Sequence, residues 1–159
     1  MDQEKGKEGR GAFVLLAAAA ILEAVTLALY ALTGVSEFSQ KLSLQVLLFS
    51  VAAAAAGIAL LIPVRKGTGK AWSDRLLGLA LYAVYALALL AWLFYIVSQL
   101  NYIANIAVGI DGTGLSPVFV ITTVMFAAAW VLALLSARAF GGKAQETSGA
   151  GEGEEVQHG

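Results

Sequence analysis

Residues 11–34 read GAFVLLAAAAILEAVTLALYALTG and carry one charged side chain, Glu23. A helix needs about 20 consecutive apolar residues to cross a hydrocarbon core. The stretch is therefore long enough to span a bilayer. Three more of the same kind follow, at 43–62, 76–100 and 115–137, none of them carrying a charge. The whole chain agrees with this reading. Its 159 residues are 59 % hydrophobic and 13 % charged, where a soluble domain is roughly 45–50 % apolar and about 25 % charged. The expected fold is an all-α integral membrane protein, with four transmembrane helices in an antiparallel bundle and both termini cytoplasmic. Residues 1–10 form a cytoplasmic N-terminal tail, 11–139 the transmembrane domain, and 140–159 a Gly- and acid-rich cytoplasmic tail expected to be disordered. The spans take up more than half of the chain and leave no room for a second folded domain.

Local signals set the span ends. Ser116–Pro117 reads as a helix start, with Ser as N-cap and Pro at the first helical position. Pro63 marks the end of the second span. Gly34 and the pair Gly141–Gly142 suit helix exits, and Trp72 suits an interfacial position just before the third span. Lys and Arg give the orientation. Lys5, Lys7, Arg10, Arg65, Lys66, Lys70, Arg75, Arg138 and Lys143 fall on one side, and Lys41 alone falls on the other. The external loops are then 35–42 and 101–114. The first span is longer than the roughly 7–15-residue core of a cleaved signal peptide, and Glu23 would interrupt such a core, so it reads as a retained helix.

Composition also removes chemistries. The chain has no cysteine, which excludes disulfides and thiolate nucleophiles. Its one histidine, His158, lies in the polar tail, so a bis-histidine haem or a zinc centre inside the spans is not expected. Net charge is −1 with no dense basic run, which argues against nucleic acid. The sequence therefore predicts no catalytic residue, no metal and no cofactor.

Polar residues within the spans recur at helical spacing. Glu23, Thr26, Tyr30 and Thr33 share a face of the first helix, and Tyr85, Ala88, Trp92, Tyr95, Gln99 and Tyr102 form a stripe on the third. Gln45, Ser50, Thr122 and Thr123 add polar groups on the second and fourth spans. At about 1.5 Å per residue, Glu23 lies roughly 15–18 Å from the cytoplasmic end of its span, near the midplane. Two readings follow. In one, facing stripes line an outward cleft floored by Glu23, and the pocket candidates are Glu23, Thr26, Tyr30, Tyr85, Trp92, Tyr95 and Gln99. In the other, the same hydroxyls and amides hold the helices together. Glu23 has no Lys or Arg within any span to pair with, and an acid at a span centre costs about 2.5–3.5 kcal/mol on insertion scales for Asp. It reads either as a proton- or cation-coupling group or as a neutral structural acid hydrogen-bonded to a partner such as Tyr85. Runs of small residues, 52–56 and 127–129, let helices approach closely toward the inside. In the second external loop, Asn101, Asn105 and Asp111 are candidate contact residues. Ser98, Asn101 and Asn105 continue a helical face, so the third helix is expected to project by a turn or two, and Asp111–Gly112 signals a turn.

The second and fourth spans align loosely from Ser43 (SLQVLLFSVAAAAA) and Ser116 (SPVFVITTVMFAAA), as two tandem helical hairpins would. Residues 19–29, AAILEAVTLAL, resemble the first helix of small multidrug transporters. That resemblance implies a four-span fold and a role for the acid. The extended third span, polar tails and charge bias depart from that pattern, and no site residue is carried over. Three functional expectations result: an accessory or assembly subunit of a membrane complex, a small homo-oligomeric proton- or cation-coupled transporter using Glu23, or a membrane enzyme acting on a lipid or quinone. The expected partners are the bilayer and either another membrane protein or a second copy of the chain.

Overall fold

The computed structural model describes residues 2–33, 42–66, 71–109 and 116–149. Five helices follow in order: α1 (Asp2–Thr33), α2 (Leu44–Lys66), α3 (Ala71–Ser98), α4 (Leu100–Val108) and α5 (Pro117–Gly149). Four of them contain segments long and apolar enough to cross a membrane, at Arg10–Leu32, Leu44–Lys66, Ser73–Ser98 and Pro117–Gly141.

The inward faces follow one rule. On α1 the buried residues include Ala12, Leu16, Ala19, Glu23, Thr26 and Tyr30, and on α3 Leu77, Leu81, Val84, Ala88, Ala91 and Tyr95. On α5 they include Thr122, Phe126, Ala129, Ala133, Ser136 and Phe140. Steps of four and three alternate on all three helices, the seam that lets neighbouring helices pack at a shallow crossing of about 20°. On α2 the seam is made of small residues a heptad apart, Ser50 and Gly57, followed by Val64. A Cβ built on Gly57 would lie 3.2 Å from the Ala20 Cβ, so the approach of α1 to α2 rests on that missing side chain.

Helix α1 packs on α2 and α5, and α3 packs on the same two, which leaves α1 and α3 facing each other across the core. The outward faces are as apolar as the core. Val14, Ile21, Val25 and Leu32 on α1 are 50–76 % exposed, and Leu44, Leu48, Val51, Ile58 and Ile62 on α2 are 54–66 % exposed. A helix that is apolar all round requires an apolar surrounding, as a bilayer supplies. Charged side chains other than Glu23 are kept to the ends. Arg65 stacks on the Phe13 ring, 5.8 Å from its centroid, and Arg10, Lys66, Arg75 and Arg138 are exposed near the inner core cluster of Ala12, Val64, Leu77 and Ala137.

Several span ends differ from expectation. α2 runs through Pro63 to Lys66. The proline sits in the last turn, where the lost N–H removes one bond and the remaining turn can still form. α5 continues past Gly141–Gly142 to Gly149, and α1 begins at Asp2, so parts of both expected tails are helical. Extending a formed helix adds a hydrogen bond per residue without a new nucleation cost, so Gly and charged residues can follow on from a stable span. Helical structure continues past the third span as α4, but through a break. Gln99, at φ −99° and ψ 5°, separates α3 from α4. Ser116 precedes α5 as expected, and its carbonyl accepts from the Val120 N–H at 3.2 Å. Gly34, Lys41, Asp111 and the turn at 111–114 lie outside the described residues.

Candidate functional site

The four spanning helices meet at Glu23. It is 2 % exposed and lines a cavity of about 10 Å³ together with Ala19, Ala20, Ala53, Val84, Ala88, Ala129 and Ala133. Alanine predominates because the helices approach closely at this level, and a larger side chain would push them apart. Neither Glu23 carboxyl oxygen has a hydrogen-bond partner among the described residues. Ser50 on α2 stands beside the carboxyl, but its buried hydroxyl has no hydrogen-bond partner there either. The site therefore consists of one acid and one hydroxyl, side by side without a hydrogen bond of good geometry, in a box of methyl groups. A cavity of this size is at the lower limit for one water molecule, and a water also needs two to four polar partners.

The outer half of the core does not form an open cleft at this site. Tyr30 and Tyr95 meet edge-on with ring centroids 5.6 Å apart, and Tyr95 packs on Phe126 at 5.2 Å. All three are buried, together with Val46 and Ala91. The stripes of α1 and α3 meet at Tyr30 and Tyr95, whose rings pack against each other rather than lining an open space.

The candidate residues separate into three groups. Glu23, Thr26, Tyr30, Tyr95 and Gln99 are buried. Tyr85 and Trp92 lie one position to the side of the buried seam and pack on Trp130 of α5, at 6.1 and 6.0 Å. Tyr85 is therefore not the partner of Glu23, and the polar group beside the acid is Ser50. Asn101 and Asn105 are exposed on α4.

The hydroxyls mostly act as ties. Thr26 donates to the Leu22 carbonyl at 2.6 Å and Thr123 to the Phe119 carbonyl at 2.7 Å, each within its own helix. Ser136 donates across the α1–α5 interface to the Ala12 carbonyl at 2.9 Å. Tyr30 accepts from the Ser43 N–H at 2.9 Å, and Tyr102 accepts from the Ser116 N–H at 2.8 Å. The two serines that open the similar stretches of sequence are thus held in the same way, each by a tyrosine from the preceding helical segment.

Ser50 beside Glu23, Trp130 against Tyr85 and Trp92, and Ser136 bonded to Ala12 are not among the site candidates of the sequence. Ser50 was detectable as the middle of the run Ser43, Ser50, Gly57, spaced by seven. Trp130 and Ser136 have no comparable signal, because an isolated Trp or Ser in an apolar run does not show which neighbour it meets. Among the described residues no group of three or more His, Asp or Glu side chains gathers that could hold a metal ion. No protein family, curated protein or solved structure matches the chain. The resemblance of residues 19–29 to small multidrug transporters therefore has no counterpart in these comparisons.

Proposed function

We propose that the chain is a small multi-pass protein of the cell membrane, an up-down-up-down antiparallel bundle with both termini cytoplasmic, that acts as an accessory or assembly subunit of a membrane complex. One observation carries this reading: three polar side chains, Tyr30, Tyr102 and Ser136, each tie one element of the bundle to another. Tyr30 accepts from Ser43, Tyr102 from Ser116, and Ser136 donates to Ala12. The orientation rests on the charge rule. Extraction from the native host in mild detergent, followed by native mass spectrometry, tests the proposal. A second polypeptide in fixed ratio is the expected result, and a clean oligomer of this chain alone refutes it.

Glu23 supports a second reading, a homo-oligomeric transporter coupled to protons. A buried acid with both oxygens unpartnered at the meeting point of four helices is costly to keep. With one hydroxyl beside it and otherwise methyl groups around it, the site offers too few oxygens for a metal cation. Four helices are few for alternating access within one chain, so a dimer is required. Proton flux in liposomes that is lost in Glu23→Gln supports this reading, and equal flux in both proteins removes it.

A further inference from the structure

Helix α4 has no buried residue, and its exposed surface divides into two strips. Tyr102, Ile103 and Ile106 are half-buried on one side, where the Tyr102 ring meets Phe119 edge-on at 5.4 Å. Leu100, Ala104, Ala107 and Val108 form an exposed apolar strip, with Leu100 at 54 % and Val108 at 72 %. Asn101 and Asn105 lie next to that strip, also exposed, with Gly109 closing the helix in the left-handed conformation at φ 70°. Around its axis, α4 thus presents a protein side, an apolar side and a polar side.

The apolar strip continues from the span. On α3 the exposed positions Leu90, Leu93 and Val97 advance by three and four residues, and Leu100, Ala104 and Ala107 extend the same progression through the break at Gln99. Residues 76–109 contain no charged side chain. A segment directed into water would expose Leu100 and Val108 with nothing to offset the cost.

We propose that α4 is an interfacial helix. Its Leu100–Ala104–Val108 side rests at the boundary between headgroups and acyl chains, Asn101 and Asn105 face the headgroups and water, and Tyr102 fixes its rotation against α5. An apolar side beside a polar side is the pattern of an amphipathic helix at a membrane interface. The occupant of the apolar strip is lipid, as for the α3 stripe it continues.

The chain contains no cysteine, so single Cys variants can be spin-labelled without background. The variants are Leu100→Cys, Asn101→Cys, Ala104→Cys, Asn105→Cys and Val108→Cys, each in the full chain reconstituted into phosphatidylcholine vesicles. Collision with oxygen and with a water-soluble nickel chelate is then read at each site. Labels at 100, 104 and 108 are expected to favour oxygen severalfold over those at 101 and 105. Equal nickel accessibility at all five sites overturns the proposal. Spin–spin broadening at 104 and 108 that disappears on dilution with unlabelled chain also overturns it, because a second copy then covers the strip. If one label perturbs the helix, the remaining four still report the pattern.

Discussion

Replacing Glu23 by Leu should stabilise the protein. Its carboxyl is 2 % exposed, and neither oxygen has a partner among the described residues. Leaving a buried polar group unsatisfied costs about 1–3 kcal/mol, and replacing it with an apolar group of similar shape removes that cost. The surroundings are methyl groups with about 10 Å³ of free space, enough to accept the branch of a leucine with little strain. Glu23→Leu is therefore expected to gain about 1–3 kcal/mol. Glu23→Gln keeps two polar atoms without partners and should gain nothing. Glu23→Ala should lose stability, because the cavity it leaves outweighs the relief; large-to-small core changes cost about 2–5 kcal/mol. The assay is unfolding of purified protein in mixed detergent micelles, followed by tryptophan fluorescence. Trp92 and Trp130, 6.0 Å apart between α3 and α5, report loss of the core. A double-mutant cycle with Ser50→Ala completes the test, with an expected coupling below about 0.5 kcal/mol. A Leu variant less stable than wild type, or a coupling above about 1 kcal/mol, would mean that the carboxyl and Ser50 are bonded and that the acid is a structural element.

Further outcomes test the packing, all but the last in the same unfolding assay. Gly57→Val should cost about 1–3 kcal/mol by overpacking, since even a Cβ there lies 3.2 Å from the Ala20 Cβ, and an unchanged midpoint would disprove the close α1–α2 approach. Phe126→Ala removes a fully buried ring packed 5.2 Å from Tyr95 and should cost about 3–5 kcal/mol; a loss under about 1 kcal/mol would show that the outer cluster is not a packed core. Ser136→Ala and Tyr30→Phe each delete one tie, to Ala12 and Ser43, and should each cost about 0.6 kcal/mol, the average for such bonds in membrane bundles. Phe49→Ala removes the stacked pair with Phe94, centroids 5.3 Å apart and 3° from parallel, between α2 and α3; it should raise labelling of Glu23 by a hydrophobic carbodiimide, and unchanged labelling would mean that the reagent reaches the acid through another seam.

Hydropathy alone placed the four spans, because a bilayer enforces length and apolarity at every residue of a crossing. The span ends were less legible. Pro63 and Gly141–Gly142 are stop signals in isolation, but a formed helix carries past them. The pocket was partly legible. The polar stripe chosen on α3 shares Ala88, Tyr95 and Gln99 with the buried seam and then diverges, taking Tyr85 and Trp92 where the seam has Val84 and Ala91. Polarity was a misleading weight there. In a membrane bundle the small residues mark the closest helix approach, and bulky aromatics are left to its flank, where Tyr85 and Trp92 meet Trp130. Glu23 was legible because one charge in an apolar span admits few explanations. Its neighbour was not, since partner choice depends on which helices are adjacent, and α1 lies across the core from α3 rather than beside it.

The contrast between Glu23 and the hydroxyls around it bears most directly on function. Thr26, Tyr30, Thr123 and Ser136 each have a partner within 3 Å. These polar groups are satisfied, whereas Ser50, Trp92 and Trp130 share with Glu23 a buried polar atom without a partner among the described residues. At Glu23, leucine would fit the same box. A group that costs stability where a cheaper residue is available is what a working site looks like, because function is the usual reason for retaining strain or an unsatisfied polar atom. Work at Glu23 requires access, and the core is closed next to it, with Tyr30, Tyr95 and Phe126 buried together. If Glu23 does work, the bundle must open, and the α2–α3 seam, where Phe49 and Phe94 stack, is the natural place for it. A partner subunit or a second copy seated on that seam could set the opening. The subunit and transporter readings therefore make the same structural demand of the protein and differ in what supplies the partner.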